Sequence, residues 1–145
     1  MIILVQRVSE AKVIIEDKLY SSIDTGALIF LGIHTKDTKK DAEYLAKKLS
    51  LLRIFSDNNG RMNKSISEIN GGMLIVSQFT LCADIKKGNR PSFLNAAHPE
   101  LAKKIYNYFI DLLKISHDNV ETGKFGANMN IQLINDGPVT LFLES

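Results

Sequence analysis

Apolar residues follow two rhythms along this chain. Residues 1–8 and 11–15 are apolar and β-branched, and Glu16-Asp17-Lys18 forms a polar turn before a third short run at 19–23. Asp24-Thr25-Gly26 marks a second turn. Residues 27–34 are almost continuously apolar, the pattern of a strand buried on both faces. The rhythm then changes. Ala42, Leu45, Ala46, Leu49 and Leu52 recur at helical spacing, with lysines and acids on the other face and Asp37 or Thr38 as N-cap. Residues 53–55 predict a short strand, and 56–60 a turn. After Gly71-Gly72, residues 73–78 predict a central strand that runs on into 79–81. Pro99 suits the first position of a second helix, whose apolar face carries Leu101, Ile105, Tyr108, Phe109 and Leu112. Residues 119–121, 129–134 and 139–143 return to strands.

Many strands around two helices, without strict alternation, argue for an α+β fold. The expected architecture is a curled, barrel-like sheet, mixed or largely antiparallel, with the two main helices packed outside. No linker, repeat or low-complexity tract interrupts the 145 residues, so a single domain over 1–145 is expected. Hydrophobic residues at 45% and charged residues at 23% fit a soluble globular chain. Apolar runs such as 27–31 are too short to span a bilayer. The N-terminus shows neither a basic leader nor a small-residue cleavage site, so a cytoplasmic protein without a membrane partner is expected. The one cysteine, Cys82, has no partner for an internal disulfide. A net charge of +2 is only mildly basic: it permits an RNA end as ligand and gives no sign of a DNA-duplex binder.

The chemistry-bearing residues exclude several classes. His34, His98 and His117 show no metal-ligand spacing, and the cysteine stands alone, so no metal is expected. A phosphate-binding glycine loop is missing, and no cofactor is expected. Ser77-Gln78-Phe79-Thr80 ends an apolar strand, a common place for catalytic groups, although such residues also serve merely to satisfy strand-end backbone groups. Cys82 lacks a base and an electropositive setting in the sequence, which favours a buried structural role. Asn135-Asp136-Gly137-Pro138-Val139-Thr140 reads as a turn between strands. X-Pro bonds have easy access to cis, and glycine before the proline leaves both carbonyls open to close approach, so a rigid backbone hook is available there. The loops at 88–93 and 123–127 each combine glycine, a cation and an aromatic, a mixture that can stack a base and meet a phosphate.

Together these segments resemble the D-aminoacyl-tRNA deacylase family. The resemblance runs end to end, through GRMNKS, GNRPSF and VETGKFGA, and rests chiefly on SQFTL at 77–81 and NDGPVT at 135–140. It implies a homodimer that acts on the acceptor end of aminoacyl-tRNA. In it a cis Gly137-Pro138 peptide of each protomer enters the partner's site, beside the catalytic segment Ser77, Gln78, Phe79 and Thr80. Substrate-binding roles are implied for Gly137, Pro138, Arg7, Phe125 and Met129. Phe125 or Phe79 would pack on the terminal adenine, and Arg7 would brace the hook, against the simpler reading of Arg7 as a surface ion pair. Lys86, Lys87 and Arg90 would meet acceptor-end phosphates, or else only solvate their loop.

Selecting a D-aminoacyl ester over its L counterpart is a problem of rejection, because both carry the same groups. An extra methylene in a pocket discriminates by only about 1–3 kcal/mol. Fixed carbonyl oxygens of Gly137 and Pro138 would instead occupy the space an L side chain needs. Glycine, with no side chain, would pass such a filter. For catalysis, main-chain N–H groups near Phe79 and Thr80 would stabilise the oxyanion, with the ribose 2′-hydroxyl assisting. The rival is Thr80 as a covalent nucleophile, which requires a general base that neither motif supplies. Two other functions compete: an esterase or amidase on a small substrate, and a non-catalytic dimer that binds an RNA end or a protein.

Overall fold

The computed structural model describes residues 1–86 and 88–145. Lys87, grouped above with Lys86 and Arg90, lies outside the described residues. Strand β1 (Ile2–Ile15) is the spine of the sheet. Along one edge it pairs antiparallel first with β3 (Gly26–Gly32), through residues 2–8, and then with β2 (Lys18–Ile23), through residues 11–15. Its other edge carries β8 (Asn130–Glu144), also antiparallel. Beyond β3 lie β6 (Gly72–Ser77) and β7 (Val120–Thr122), each parallel to its neighbour. The sheet is therefore mixed and nearly closes into a barrel, with the Ser21 hydroxyl of β2 donating to the Thr122 carbonyl of β7 at 2.8 Å. A two-stranded ribbon, β4 (Phe55–Ser56) with β5 (Met62–Lys64), stands apart from it.

The period-two pattern of the strands sorts their side chains into two cores. Ile3, Val5, Ala27, Ile29, Leu31, Met73 and Ile75 face the helices α1 (Lys39–Ser50) and α2 (Pro99–Ser116). Leu28, Leu74 and Val76 point the opposite way, to meet Val8, Ala11 and Val13. In β1 the parity changes between Val8 and Ala11, where a register shift at Val8/Glu10 interrupts its pairing with β8. The β1–β2 turn is tight: Glu16 and Asp17 both take positive φ, 49° and 60°, as a two-residue hairpin loop demands.

Thr38 caps α1. Its amide and hydroxyl donate to the Asp41 carboxylate at 2.7 and 2.8 Å, and Ala42, Leu45, Ala46 and Leu49 are buried as their spacing predicts. Helix α2 starts at Pro99 as expected and buries Ile105 and Phe109 as expected, but its inner face is shifted around the helix. Ile105, Tyr106, Phe109, Ile110 and Leu113 are buried, while Leu101 is exposed and Tyr108 reaches sideways to Glu43. Tyr106 tolerates burial because its hydroxyl donates to the Ile75 carbonyl at 2.9 Å.

Three other expectations change at the boundaries. The short strand begins at Phe55, after Arg53 and Ile54. Residues 79–81 do not extend β6: the Gln78 amide makes a bond to Leu31 at the end of β3, and the chain then turns through a 3-10 segment, Phe79–Cys82. The last two expected strands are one, β8, broken by a bulge. Asn135 pairs with Val8 and Thr140 with Gln6, so four residues of β8 oppose the single Arg7. No helix among the described residues is long and apolar enough to cross a membrane.

Candidate functional site

The parallel strands β3, β6 and β7 all send their carboxyl ends to one side of the sheet, where parallel strands commonly present ligands. A cleft of about 780 Å³ lies there. Leu31, Ile33, Val76 and Ser77 form its floor at the strand ends, with Gln78 and Phe79 in the turn that follows. One wall is the segment entering α2, and the other is the β7–β8 loop through Phe125 and Met129. Each wall is fastened to the sheet. The 93–99 segment is held by Ala97 N–H donating to the Ile33 carbonyl at 2.9 Å and by Thr35 N–H donating to the Asn95 carbonyl at 3.0 Å. The β7–β8 loop is held by Gly123 N–H donating to Ile75 at 2.8 Å. A Cβ at Gly123 would sit 2.7 Å from the Met129 sulfur, so a larger residue there would displace the Met129 side chain.

Apolar groups and rings dominate the surface of the cleft. Phe79 and Phe93 meet edge to face at 5.0 Å, and Phe125 lies on Tyr106 at 5.5 Å. Among the described residues the lining includes no Asp, Glu, Lys or Arg; its polar side chains are Ser77, Gln78, His98 and Asn128. No group of three metal-ligating side chains occurs among the described residues. Cys82, the last residue of the turn, is buried; burial first, and then the charge of Asp37, push its thiol pKa up, in keeping with a structural role.

Residues singled out from the sequence separate into two places. Ser77, Gln78, Phe79, Phe125 and Met129 converge on the cleft. Thr80 does not line it; its hydroxyl accepts a hydrogen bond from the Gln78 side-chain amide. Arg7, Gly137 and Pro138 lie elsewhere, at the β8 bulge, where the Gly137–Pro138 peptide is cis and both residues are exposed. Arg7 is no surface ion pair. It is 9% exposed, donates through Nη1 to the Ile54 carbonyl at 2.6 Å, and through Nε reaches the Asp136 carbonyl at 2.9 Å and carboxylate at 3.0 Å. The reading from sequence missed Phe93, His98 and Asn128. The motif around Phe93 was legible as an aromatic-bearing loop, and Pro99 marked His98 as a helix entry, but nothing in their spacing reveals that they line the same cleft as Gln78.

Fold and relatives together define a class, a small α+β hydrolase. The family model described as D-Tyr-tRNA(Tyr) deacylase matches residues 4–144. A D-aminoacyl-tRNA deacylase of Thermotoga petrophila is 53% identical over 98% of this chain and 95% of its own length. One from Desulfatibacillum aliphaticivorans is 52% identical over 98% and 97%. Among solved structures, one titled c-Myc DNA Unwinding Element Binding Protein superposes with a TM-score of 0.96 at 40% identity, over 100% of this chain and 99% of that one. A probable eukaryotic D-amino acid tRNA deacylase shares the fold, with a TM-score of 0.86 at 15% identity and coverage of 99% and 98%. The chain belongs to the D-Tyr-tRNA(Tyr) deacylase family.

Proposed function

We propose that this protein hydrolyses the ester between a D-amino acid and the terminal adenosine of tRNA, in the cytoplasm, as a homodimer. Glycyl-tRNA is cleaved as well, and L-aminoacyl-tRNA is rejected. The observation that carries this reading is the division of the two motifs. Ser77, Gln78 and Phe79 form an uncharged cleft in their own chain, while Gly137 and Pro138 stand exposed outside it. A second copy brings them together. Strand β8 favours such pairing: it is a fifteen-residue strand at the sheet's edge, with Ile134, Leu141 and Phe142 exposed, and an edge of that kind is a template for association.

In the completed site the terminal adenine packs against the ring of Phe125 or Phe79. The carbonyl oxygens of the partner's Gly137 and Pro138 accept hydrogen bonds from the substrate ammonium and fill the position an L side chain would take. Lys86 and Arg90 meet phosphates of the acceptor end. Turnover relies on main-chain donors. Leu81 N–H in the 3-10 turn donates to the Gln78 carbonyl at 3.2 Å, and of the main-chain amides that precede it, that of Phe79 belongs to a residue lining the cleft and is the donor offered to the developing oxyanion. An ester already activated for aminoacyl transfer needs no strong nucleophile, in keeping with a lining that holds no carboxylate. The ribose 2′-hydroxyl assists.

The test is paired deacylation of D-tyrosyl-tRNA, L-tyrosyl-tRNA and glycyl-tRNA, with free D-tyrosine ethyl ester as a fourth substrate. Release from the D and glycyl substrates alone supports the proposal. Equal rates on D- and L-tyrosyl-tRNA would contradict the filter, and equal use of the free ester would favour a small-molecule esterase.

A further inference from the structure

The β8 bulge is spanned by an exposed side chain to which the reaction gives no role. Asn135 is the last residue of β8 in register before the bulge, opposite Val8. Its Nδ2 donates to two carbonyls, that of Arg7 in β1 at 3.0 Å and that of Val139 at 3.2 Å. One amide thus ties the start of the excursion to its end and to the neighbouring strand. The other face of the same amide meets Gly137, where a Cβ would lie 2.5 Å from Asn135 Oδ1. Ordinarily the tip of a side chain yields to such a clash. Here yielding breaks both Nδ2 bonds, so the orientation of the amide and the absence of a side chain at residue 137 are coupled. Arg7 grips the same bulge from its buried side through the Asp136 carbonyl and carboxylate.

We propose that Asn135 is a specificity-determining positioning residue: its side-chain amide fixes where the Gly137 and Pro138 carbonyls point, and so sets the discrimination between D- and L-aminoacyl esters. This rests on the carbonyl filter proposed above. Asn135 touches no substrate and takes no part in the hydrolytic step. Loss of its amide leaves hydrolysis of the D ester possible and loosens the rejection of the L ester, because a displaced carbonyl no longer occupies the L side-chain position.

The experiment compares single-turnover rates on D- and L-tyrosyl-tRNA for wild type, Asn135→Ala, Asn135→Asp and Pro138→Ala. Asn135→Asp keeps the shape of the side chain and removes the donor. Pro138→Ala perturbs the hook itself by freeing a φ that the proline ring fixes. Any loss of folded protein scales both rates equally and cancels in the D-to-L ratio, which a merely structural role would therefore not move. Loss of two hydrogen bonds predicts a ratio lower by about tenfold or more in both Asn135 variants, with Pro138→Ala also lowered. A reduced ratio in Pro138→Ala with a wild-type ratio in both Asn135 variants overturns the role of Asn135 and leaves the filter standing. An unchanged ratio in Pro138→Ala overturns the filter, and this inference with it. A double variant supplies a second readout. Adding Gly137→Ala to Asn135→Ala costs little further selectivity if the amide is what excludes a Cβ, and strictly additive losses contradict that coupling.

Discussion

The side-chain amide of Gln78 donates to the hydroxyl of Thr80, and that hydroxyl stands off the wall of the cleft that Gln78 helps to form. A nucleophilic hydroxyl needs a base to receive its proton. Here Thr80 Oγ1 is an acceptor, and the donor facing it carries no charge. Thr80→Val therefore keeps deacylation of D-tyrosyl-tRNA within about tenfold of wild type, whereas losing a true nucleophile costs about a millionfold. Single-turnover rates at saturating enzyme decide between them.

Arg7 joins three parts of the chain: its own strand, Ile54 at the foot of the ribbon, and Asp136 at the bulge. Arg7→Met keeps much of the volume but leaves the Ile54 carbonyl without its donor. The expected loss of stability in urea is about 1–3 kcal/mol, the cost of a buried polar group left unpaired. An exposed ion pair would contribute only about 0–1 kcal/mol. The same variant shows a reduced D-to-L ratio if Asp136 must be held for the hook to be placed.

Acid should loosen α1 early. Burial alone would raise the Asp41 carboxyl, but hydrogen bonds from the Thr38 amide and hydroxyl outweigh it and bring the pKa from 3.8 to about 2. Hydrogen bonds from Arg61 and Asn59 amides lower Asp57 likewise, and those from Ser65 lower Glu68. A carboxyl lowered on folding binds its proton more readily when unfolded, so its contribution is complete above the ordinary carboxylate range and disappears as pH falls through the folded value. Thermal melts followed between pH 6 and about pH 2 should show the midpoint falling mainly below about pH 4, with a smaller fall in Asp41→Asn, which starts less stable.

Much of this architecture is legible in the residues themselves, for identifiable reasons. The apolar run at 27–34 marks β3 because a strand covered on both faces has no polar side to show. The spacing of Ala42, Leu45, Ala46 and Leu49 finds the inner face of α1 because its other positions are charged. Helix α2 misleads because Leu101, Tyr108 and Leu112 form a second apolar stripe, and only the Ile75 carbonyl, distant in sequence, explains why Tyr106 is the tyrosine that turns inward. Residues 129–143 read as two strands because turn-forming residues look alike in a hairpin and in a bulge; the continuous partner β1 decides between them. Within the site, the SQFTL and NDGPVT motifs could be found, but their separation within one chain followed from the family resemblance alone and from nothing in their spacing. That depends on the topology, which brings β6 to the cleft and leaves the β8 bulge on the sheet's edge.

Mixed dimers test the cross-subunit site most directly. One subunit carries Ala97→Trp, which fills the cleft and leaves the hook intact; the other carries Gly137→Val, which drives a Cβ onto Asn135 and leaves the cleft intact. Each parental homodimer lacks a complete site. In the heterodimer, purified by a different tag on each subunit, one cleft receives an unaltered hook. Deacylation of D-tyrosyl-tRNA at about half the wild-type rate, with L-tyrosyl-tRNA spared, is the predicted result for a two-fold assembly. A heterodimer as inactive or as unselective as its parents would contradict the account, as would a monomer that retains full chiral selectivity.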